Sequence, residues 1–270
     1  MQTKLWRELL TPYYAAVDEL MIKFNHITKT YYDSGKYSPI ELVEGRVKKI
    51  SSILEKAQKK NISIEEIEEN IKDIAGIRII CQFVEDIVSV VEIIRNRDDM
   101  KVLEERDYVT HSKESGYRSY HLIIEYELYM IDVPKKIKVE IQIRTLAMNF
   151  WGIIEHSLQY KYRGKMPEHI STRLLAAADA ILMLDKEMSS VRDEILDAQH
   201  YMRQTDSIIS EILNNIQNLY GVANKREIEK IQDEFYSIYE KNDLDKLERF
   251  CDELDVIAEG YRAQSMQEEM

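Results

Sequence analysis

The segment Ile74–Phe83, with the sequence IAGIRIICQF, contains the change of periodicity that decides the fold. It is short, apolar and rich in β-branched residues, which is typical of a buried strand. Before it, apolar residues recur at helical spacing, which predicts helices over residues 3–30, 38–57 and 63–71. The chain is therefore expected to enter a sheet from a helical N-terminal part.

The chain after this strand returns to a helix and then to extended segments. The predicted elements are a helix over Glu85–Arg95 and strands over Met100–Tyr108, His121–Tyr129 and Ile137–Arg144. From Thr145 onward the spacing is helical, with breaks near residues 163–167 and near Gly221. Because regular βαβ alternation is missing, we predict an α/β (α+β) fold. Its central sheet is mixed and largely antiparallel, flanked by helices and followed by long C-terminal helices.

The acidic charge of the chain is concentrated at its C-terminal end. The 270 residues carry a formal net charge of -12, and residues 205–270 hold 16 acidic and 7 basic residues. The segment 36–60 is locally basic, so a phosphate-binding site is compatible with the first two-thirds of the chain. We predict a main domain over 1–204 and an acidic helical extension over 205–270. The extension is either a helical hairpin that closes a core or an oligomer-forming appendage.

The composition excludes several classes of protein. Only 8 Gly and 4 Pro, with 44% hydrophobic residues, argue against collagen-like and disordered chains. Two cysteines, Cys81 and Cys251, do not make a disulfide scaffold. The sequence has neither a secretory signal pattern nor an apolar stretch long enough to span a bilayer. We therefore expect a cytoplasmic protein without membrane contact.

A row of polar side chains alternates with apolar ones on the last predicted strand. Glu140, Gln142 and Arg144 point to one face, opposite three β-branched neighbours. Such a row indicates either a solvated edge or a cleft, and the mid-chain position of the strand favours a cleft.

A second carboxylate, Asp73, immediately precedes the first strand. Alone it could cap a turn, but with Glu140 on a neighbouring strand it forms a candidate Mg²⁺ site, because Mg²⁺ takes one or two carboxylates plus substrate phosphates. Gly76 would allow close approach of a ligand, and the guanidinium of Arg78 suits a phosphate or a stacked base.

Two further groups of residues have two interpretations each, one as a ligand-binding site and one as an ordinary surface or core position. Lys48, Ser52 and Lys56 recur every four residues and are expected to share one helix face, either as a phosphate site or as a solvated surface. Tyr117 lies at a loop-to-strand junction, where it could pack in the core or stack on a nucleobase.

The helix predicted after Arg144 has an apolar stripe. Phe150, Ile153 and Ile154 are expected to form its core face, and Trp151 could join them.

Five segments in one order resemble a known family. They are Glu44–Lys48 (EGRVK), Asp73–Arg78 (DIAGIR), Gly116–His121 (GYRSYH), Val139–Thr145 (VEIQIRT) and Glu155–His156 with Tyr160–Lys161. Together they resemble the RelA/SpoT synthetase domain and, more narrowly, the small alarmone synthetases, which are stand-alone GTP pyrophosphokinases. The resemblance covers residues 36–163 and makes 1–204 an expected alarmone synthetase domain with a nucleotidyltransferase-like fold.

The resemblance implies a reaction and its site. ATP would donate its β,γ-pyrophosphoryl group to the 3′-hydroxyl of GTP or GDP, releasing AMP. Asp73 and Glu140 would hold Mg²⁺, and Glu140 would help to deprotonate the hydroxyl. The residues implied for ATP are Arg46, Lys48, Ser52, Lys56 and Arg78, and those implied for GTP or GDP are Arg106, Tyr117, His121, Gln142 and Asn149. A homotetramer, and an alarmone or a single-stranded RNA as a regulator, are also implied as partners.

Some parts of larger relatives are missing. None of the six histidines is followed by aspartate, so the His-Asp pair of the family's hydrolase domain is absent and no hydrolysis is expected. The loop 110–115 departs from the family's Asn-Pro-rich form, so no contact is assigned to Lys113.

Two other readings of the residues stay open. The chain could be a different nucleotidyltransferase that moves AMP to a nucleic acid or a protein, with pyrophosphate as the leaving group. It could also be a non-catalytic regulator that binds RNA or nucleotides, which would show steep salt dependence. The preference among GMP, GDP and GTP is not readable from the sequence.

Overall fold

A computed structural model describes residues 2–130, 133–162, 166–221, 223–241 and 243–268. The helices are α1 (Gln2–Asp33), α2 (Ile50–Lys59), α3 (Ile67–Asn70), α4 (Val84–Arg95), α5 (Leu146–Lys161), α6 (Glu168–Leu219), α7 (Lys225–Tyr239) and α8 (Leu244–Glu268). The strands are β1 (Leu42–Val47), β2 (Ala75–Cys81), β3 (Met100–Asp107), β4 (Tyr120–Tyr129) and β5 (Pro134–Thr145). Strands β2 to β5 lie where the sequence predicts them.

The five strands form one mixed sheet in the order β1-β2-β5-β4-β3. Three pairings are antiparallel, and β2 pairs with β5 in parallel. This confirms the predicted mixed, largely antiparallel sheet with flanking helices. The parallel register sets Gly76 opposite Glu140 and Arg78 opposite Gln142, so these four positions share one face.

The prediction of one helix over residues 38–57 is wrong for its first half, because residues 42–47 form strand β1. Val43 and Val47 are four residues apart. This spacing places them on one face of a helix and equally on one face of a strand, where every second side chain points the same way. Gly45 lies between them on the same face, where a Cβ would come within 2.5 Å of Met21 Sδ on α1. The glycine thus lets β1 lie flat against α1. Lys48 consequently precedes helix α2 and does not share a helix face with the residues that follow it.

The main core lies on the opposite face of the sheet from Glu140. Helix α1 packs against β1, β2, β4 and β5, and α4 packs against β2, β3 and β5. The apolar positions of β5, which alternate with its polar row, are fully buried: Val139, Ile141 and Ile143. Burial of this row fixes the register of the central strand and therefore the direction of the polar row.

The chain divides into two compact units, residues 1–190 and 191–270. The second unit has its own apolar cluster from the end of α6 and from α7 and α8, centred on Ile212, Phe235 and Leu247. The predicted helices of the extension are therefore present. A functional boundary at residue 204 stays a prediction. Among the described helices, none is both long and apolar enough to cross a membrane.

Candidate active site

Asp73 lies in the turn before β2 and is held by two lysines. Lys48 Nζ and Lys56 Nζ each donate to Asp73 Oδ2, at 2.6 and 2.7 Å. Burial alone would raise the pKa of this carboxyl, but the hydrogen bonds and charges of the two lysines outweigh burial and lower it. The other oxygen, Oδ1, is buried without a hydrogen-bond partner among the described residues. Asp73 is thus ionised and presents one uncommitted oxygen.

Glu140 projects from the middle of β5 and accepts hydrogen bonds on both oxygens. His121 Nδ1 lies 3.2 Å from Oε1, and Gln142 Nε2 donates to Oε2 at 2.7 Å. Burial raises the pKa of Glu140 and Asp73 adds to that effect, but the hydrogen bonds from His121 and Gln142 prevail and lower it. Glu140 is therefore also an anion at neutral pH.

Two cavities meet at these carboxylates. The larger, about 400 Å³, and the smaller, about 150 Å³, are both lined by Asp73 and Glu140. A pair of anions shared by two neighbouring cavities can act on two ligands at once, which is the arrangement a group transfer between two substrates requires.

The larger cavity is formed mainly by β1 and β2 and contains two arginines. Arg46 pairs in register with Gly76, and Arg78 pairs with Glu44, so all four line the cavity from one sheet face. Arg78 Nη1 donates to Glu44 Oε2 at 3.3 Å, while its Nε is buried without a hydrogen-bond partner among the described residues. Planar guanidinium groups at this position suit a base or a phosphate.

The smaller cavity is lined by basic side chains that come from several elements. Arg106 on β3 and His121 on β4 are among its lining residues, together with Lys56. Lys60 and Lys72 also line it, and neither was predicted as a site residue. Lys60 follows Lys56 by one helical turn, a spacing that could have identified it. Lys72 adjoins Asp73, but its ion pair with Glu104 could not be read from the sequence.

Tyr117 is half-buried and does not line either cavity. Its hydroxyl lies 2.9 Å from His121 Nε2 and accepts a hydrogen bond from Arg144 Nη2 at 2.6 Å. Lys113 Nζ stands 4.8 Å from the ring centroid, and Tyr108 contacts the ring edge-on. The hydroxyl end is thus fixed within the protein.

Besides Tyr117, three predicted site residues lie outside the two cavities: Lys48, Ser52 and Asn149. Lys48 reaches the site through Asp73, as described above. Ser52 lies on α2, and Asn149 lies on α5 with its Oδ1 buried and without a partner among the described residues. Glu155 lines a separate cavity of about 340 Å³. His156 is exposed on α5, and the side chains of Tyr160 and Lys161 lie outside the described residues.

The predicted core face of α5 is wrong. Phe150, Ile153 and Ile154 are 65%, 51% and 44% exposed. Trp151 is buried instead, and its Nε1 donates to Leu174 O on α6. Both stripes have helical spacing, so periodicity alone cannot tell which one packs inside.

The two carboxylates fit a Mg²⁺ ion better than a metal that needs several protein ligands. No group of three or more His, Cys, Asp or Glu side chains suited to a metal occurs in the described part of the chain. Mg²⁺ is commonly held by one or two carboxylates and completed by water and phosphate oxygens. The unpartnered Oδ1 of Asp73 matches that requirement.

A mixed sheet with an anionic pair between two cation-lined cavities defines a protein that handles two phosphate-bearing ligands together. Residues 45–165 match the model of the region found in RelA / SpoT proteins. GTP pyrophosphokinase YjbM of Bacillus subtilis (strain 168) is 52% identical over 199 residues, covering 74% of this chain and 94% of that protein. GTP pyrophosphokinase YwaC of the same organism is 38% identical over 192 residues, covering 70% and 91%. The chain belongs to the RelA/SpoT family.

Solved structures agree with this membership. The small alarmone synthetase 1 from Bacillus subtilis bound to its product pppGpp has a TM-score of 0.69 and 52% identity, covering 71% of this chain and 98% of that chain. The small alarmone synthetase 1 bound to AMPCPP has a TM-score of 0.64 and 47% identity, covering 72% and 99%. More than a quarter of this chain lies outside these two matches, which cover 71% and 72% of it.

Proposed function

We propose that this chain is an alarmone synthetase, which transfers pyrophosphate from ATP to the 3′-hydroxyl of GTP or GDP and releases AMP. The observation that carries the proposal is the pair Asp73 and Glu140, shared by two cation-lined cavities. The relatives named GTP pyrophosphokinase, and their complexes with pppGpp and AMPCPP, support the same reaction.

The two cavities divide the substrates between them in this proposal. ATP occupies the larger cavity, with its adenine between Arg46 and Arg78. Its phosphates are bound by Lys48, Ser52 and Lys56. The acceptor nucleotide lies on the side of the smaller cavity. The residues assigned to it are Arg106, Tyr117, His121, Gln142 and Asn149.

The charges of the site suit the transfer of a pyrophosphoryl group. Lys48 and Lys56 are each only partly buried, so both can turn from Asp73 toward the donor phosphates. Cations at that position offset the negative charge that develops on the transferred group. Glu140 is ionised and can accept a hydrogen bond from the 3′-hydroxyl as that hydroxyl attacks.

Mg²⁺ held by Asp73 and Glu140 would polarise the phosphates and stabilise their charge. The residues themselves align the two substrates, which removes much of the entropic cost of a reaction between two molecules. A cytoplasmic location, where both nucleotides are available, completes the proposal.

The direct test is a product assay. Purified protein incubated with Mg²⁺, ATP and GMP, GDP or GTP is expected to produce AMP and a 3′-pyrophosphorylated guanine nucleotide, resolved by anion-exchange chromatography. Release of pyrophosphate in place of AMP would identify a different nucleotidyltransferase. Binding without turnover would identify a regulator. The three acceptors, run in parallel, also measure acceptor preference.

Gly76→Ala is expected to weaken ATP binding without weakening the fold. The three atoms nearest to a Cβ at this position belong to Arg46 and lie 3.7–3.8 Å away, so an empty site accommodates it. It projects into the larger cavity, where overpacking a bound ligand costs about 1–3 kcal/mol. We expect the KM for ATP to rise about tenfold or more, since 1.4 kcal/mol is a factor of ten. The KM for GDP should change little.

Gly260→Ala is the matched control, because this glycine of α8 has open space around it. Its KM values should equal those of the unmodified protein. An unchanged KM for ATP in Gly76→Ala would argue that ATP does not lie against β2.

An oligomer is also part of the proposal. The exposed apolar stripe of α5 defined above, Phe150 with Ile153 and Ile154, is a surface that a second copy could cover. The homotetramer implied by the family resemblance fits this surface, and light scattering coupled to size exclusion measures the assembly. Regulation by an alarmone or by single-stranded RNA stays a prediction.

A further inference from the structure

Arg144 is a buried cation to which the proposed reaction assigns no role. It is only 5% exposed, and the side chains that accept its hydrogen bonds among the described residues are all neutral. Burial lowers the pKa of its guanidinium, which reflects the cost of placing a charge there. A buried charge of this kind needs hydrogen-bond partners that accept its protons.

The partners of Arg144 form two arms that end on the same carboxylate. In the first arm, Arg144 Nη2 donates to Gln142 Oε1 at 2.6 Å, and Gln142 Nε2 donates to Glu140 Oε2 at 2.7 Å. In the second arm, Arg144 Nη2 donates to the Tyr117 hydroxyl oxygen at 2.6 Å. That hydroxyl lies 2.9 Å from His121 Nε2, and His121 Nδ1 lies 3.2 Å from Glu140 Oε1. The result is a closed ring of five side chains.

The direction of every hydrogen bond in this ring follows from Arg144, which can only donate. Arginine has donors and no acceptor, so the Tyr117 oxygen must accept from Arg144 and is free to give its own proton to His121 Nε2. A neutral imidazole that accepts at Nε2 carries its proton on Nδ1. That proton points at Glu140 Oε1. In the other arm, the Gln142 oxygen is turned to Arg144, which leaves its NH₂ group to donate to Glu140.

The surroundings of Arg144 preserve this geometry. Arg144 Nε donates to the fully buried Ser119 Oγ at 3.3 Å, and Ser119 Oγ donates to Ile143 O. On the other side, a Cβ at Gly152 of α5 would lie 2.9 Å from Arg144 Nη1. Helix α5 therefore has a glycine at the point where the guanidinium of Arg144 needs room.

We propose that Arg144 is a positioning residue for the transfer reaction. Through the two arms it sets the Nδ1–H tautomer of His121, fixes the amide of Gln142 and directs one hydrogen bond to each oxygen of Glu140. Glu140 is thereby held in one rotamer between the two cavities. The kinetic part of this inference rests on the proposed function, whereas the ring and its tautomer do not.

The tautomer is measured first, because that measurement needs no substrate. ¹⁵N-histidine-labelled protein in mildly alkaline buffer gives the protonation of each ring nitrogen, and a His121→Gln variant assigns the resonances. We expect a proton on Nδ1 of His121 and a hydrogen-bonded Nε2 that accepts. A proton on Nε2 in the unmodified protein would overturn the proposal. This result stands whether or not the protein makes an alarmone.

The kinetic test separates positioning from substrate binding. Arg144→Met breaks both arms, and Tyr117→Phe breaks one arm while keeping the aromatic ring. We expect kcat to fall about 10–100-fold in each variant, the range found for partners that orient a catalytic ligand. Both KM values should stay within about threefold. Arg144 is not assigned to substrate contact, and Tyr117→Phe keeps the aromatic ring that is.

Tyr120→Phe is the matched control, because its hydroxyl donates to Glu105 outside the ring. Its kcat should remain within twofold of the unmodified protein. If Arg144→Met fails to fold, Tyr117→Phe decides. Equal kcat values for Tyr117→Phe and Tyr120→Phe would show that Arg144 is structural only and would overturn the proposal.

Discussion

Replacing Asp73 with asparagine is expected to lower turnover by about two to four orders of magnitude while leaving the fold intact. The variant keeps the size of the side chain but removes the anion that Lys48 and Lys56 neutralise and that would hold Mg²⁺. Losing several kcal/mol of charge stabilisation, at about 1.4 kcal/mol per factor of ten, corresponds to a loss of about 10²–10⁴-fold. Initial rates of AMP formation measure the loss, and circular dichroism checks the fold.

Asp99 provides a control with the same chemistry in another place. It accepts hydrogen bonds from Arg97 and Lys23, and these partners lower its pKa to about 2, yet it does not line either cavity of the site. Asp99→Asn should therefore retain turnover within about twofold. Equal activity in Asp73→Asn and Asp99→Asn would exclude Asp73 from the reaction.

Gly116→Ala is expected to produce the largest loss of stability among single-methyl additions. Gly116 has φ = +86°, and a Cβ there would lie 2.6 Å from the Ala178 Cβ on α6. The left-handed backbone costs an alanine about 1–2 kcal/mol, and overpacking adds about 1–3 kcal/mol. A total near 3 kcal/mol would lower Tm by roughly 6–12 °C in a unit of this size. Tyr117, the next residue, should lose its fixed position.

Gly35→Ala separates the two causes, because Gly35 has φ = +64° but no atom within 4 Å of the added Cβ. Only the backbone cost of about 1–2 kcal/mol remains, so Tm should fall by about 2–8 °C. Thermal unfolding followed by circular dichroism compares the two variants. Equal shifts would mean that the contact with Ala178 relaxes freely and that steric crowding plays no part.

The fold could be predicted where a single periodicity dominated. Strand β5 alternates over its central residues, and β2 is a short segment rich in isoleucine and interrupted by Arg78, so both were identifiable without neighbours. Strand β1 was not, because Val43 and Val47 fit two periodicities and the decisive contact, Gly45 against Met21, comes from a helix more than 20 residues earlier. Local spacing carries no information about such a contact.

The site could be predicted in part for the same reason. The polar row of β5 indicated a cleft. Lys48 and Lys56 both contact Asp73, but the prediction that they share a helix face is wrong, because Lys48 lies outside α2. Lys72 could not be found, because its position depends on the pairing of β3 with β4. The role proposed for Arg144 depends on His121, which lies opposite Gln142 only through the register of β4 against β5.

The position of β5 in the sheet has a consequence for how the molecule is made. Strands β1 and β2 form one antiparallel pair, β3 and β4 form another, and β5 is the last strand in the chain and lies between them. Each earlier pair exposes an unpaired edge until β5 arrives, and such long-range pairing forms slowly. The strand that joins the pairs also brings Glu140 beside Gly76. A nascent chain therefore has no complete site before residue 145 has left the ribosome, and Glu140 takes its place beside Gly76 in the same step that closes the sheet.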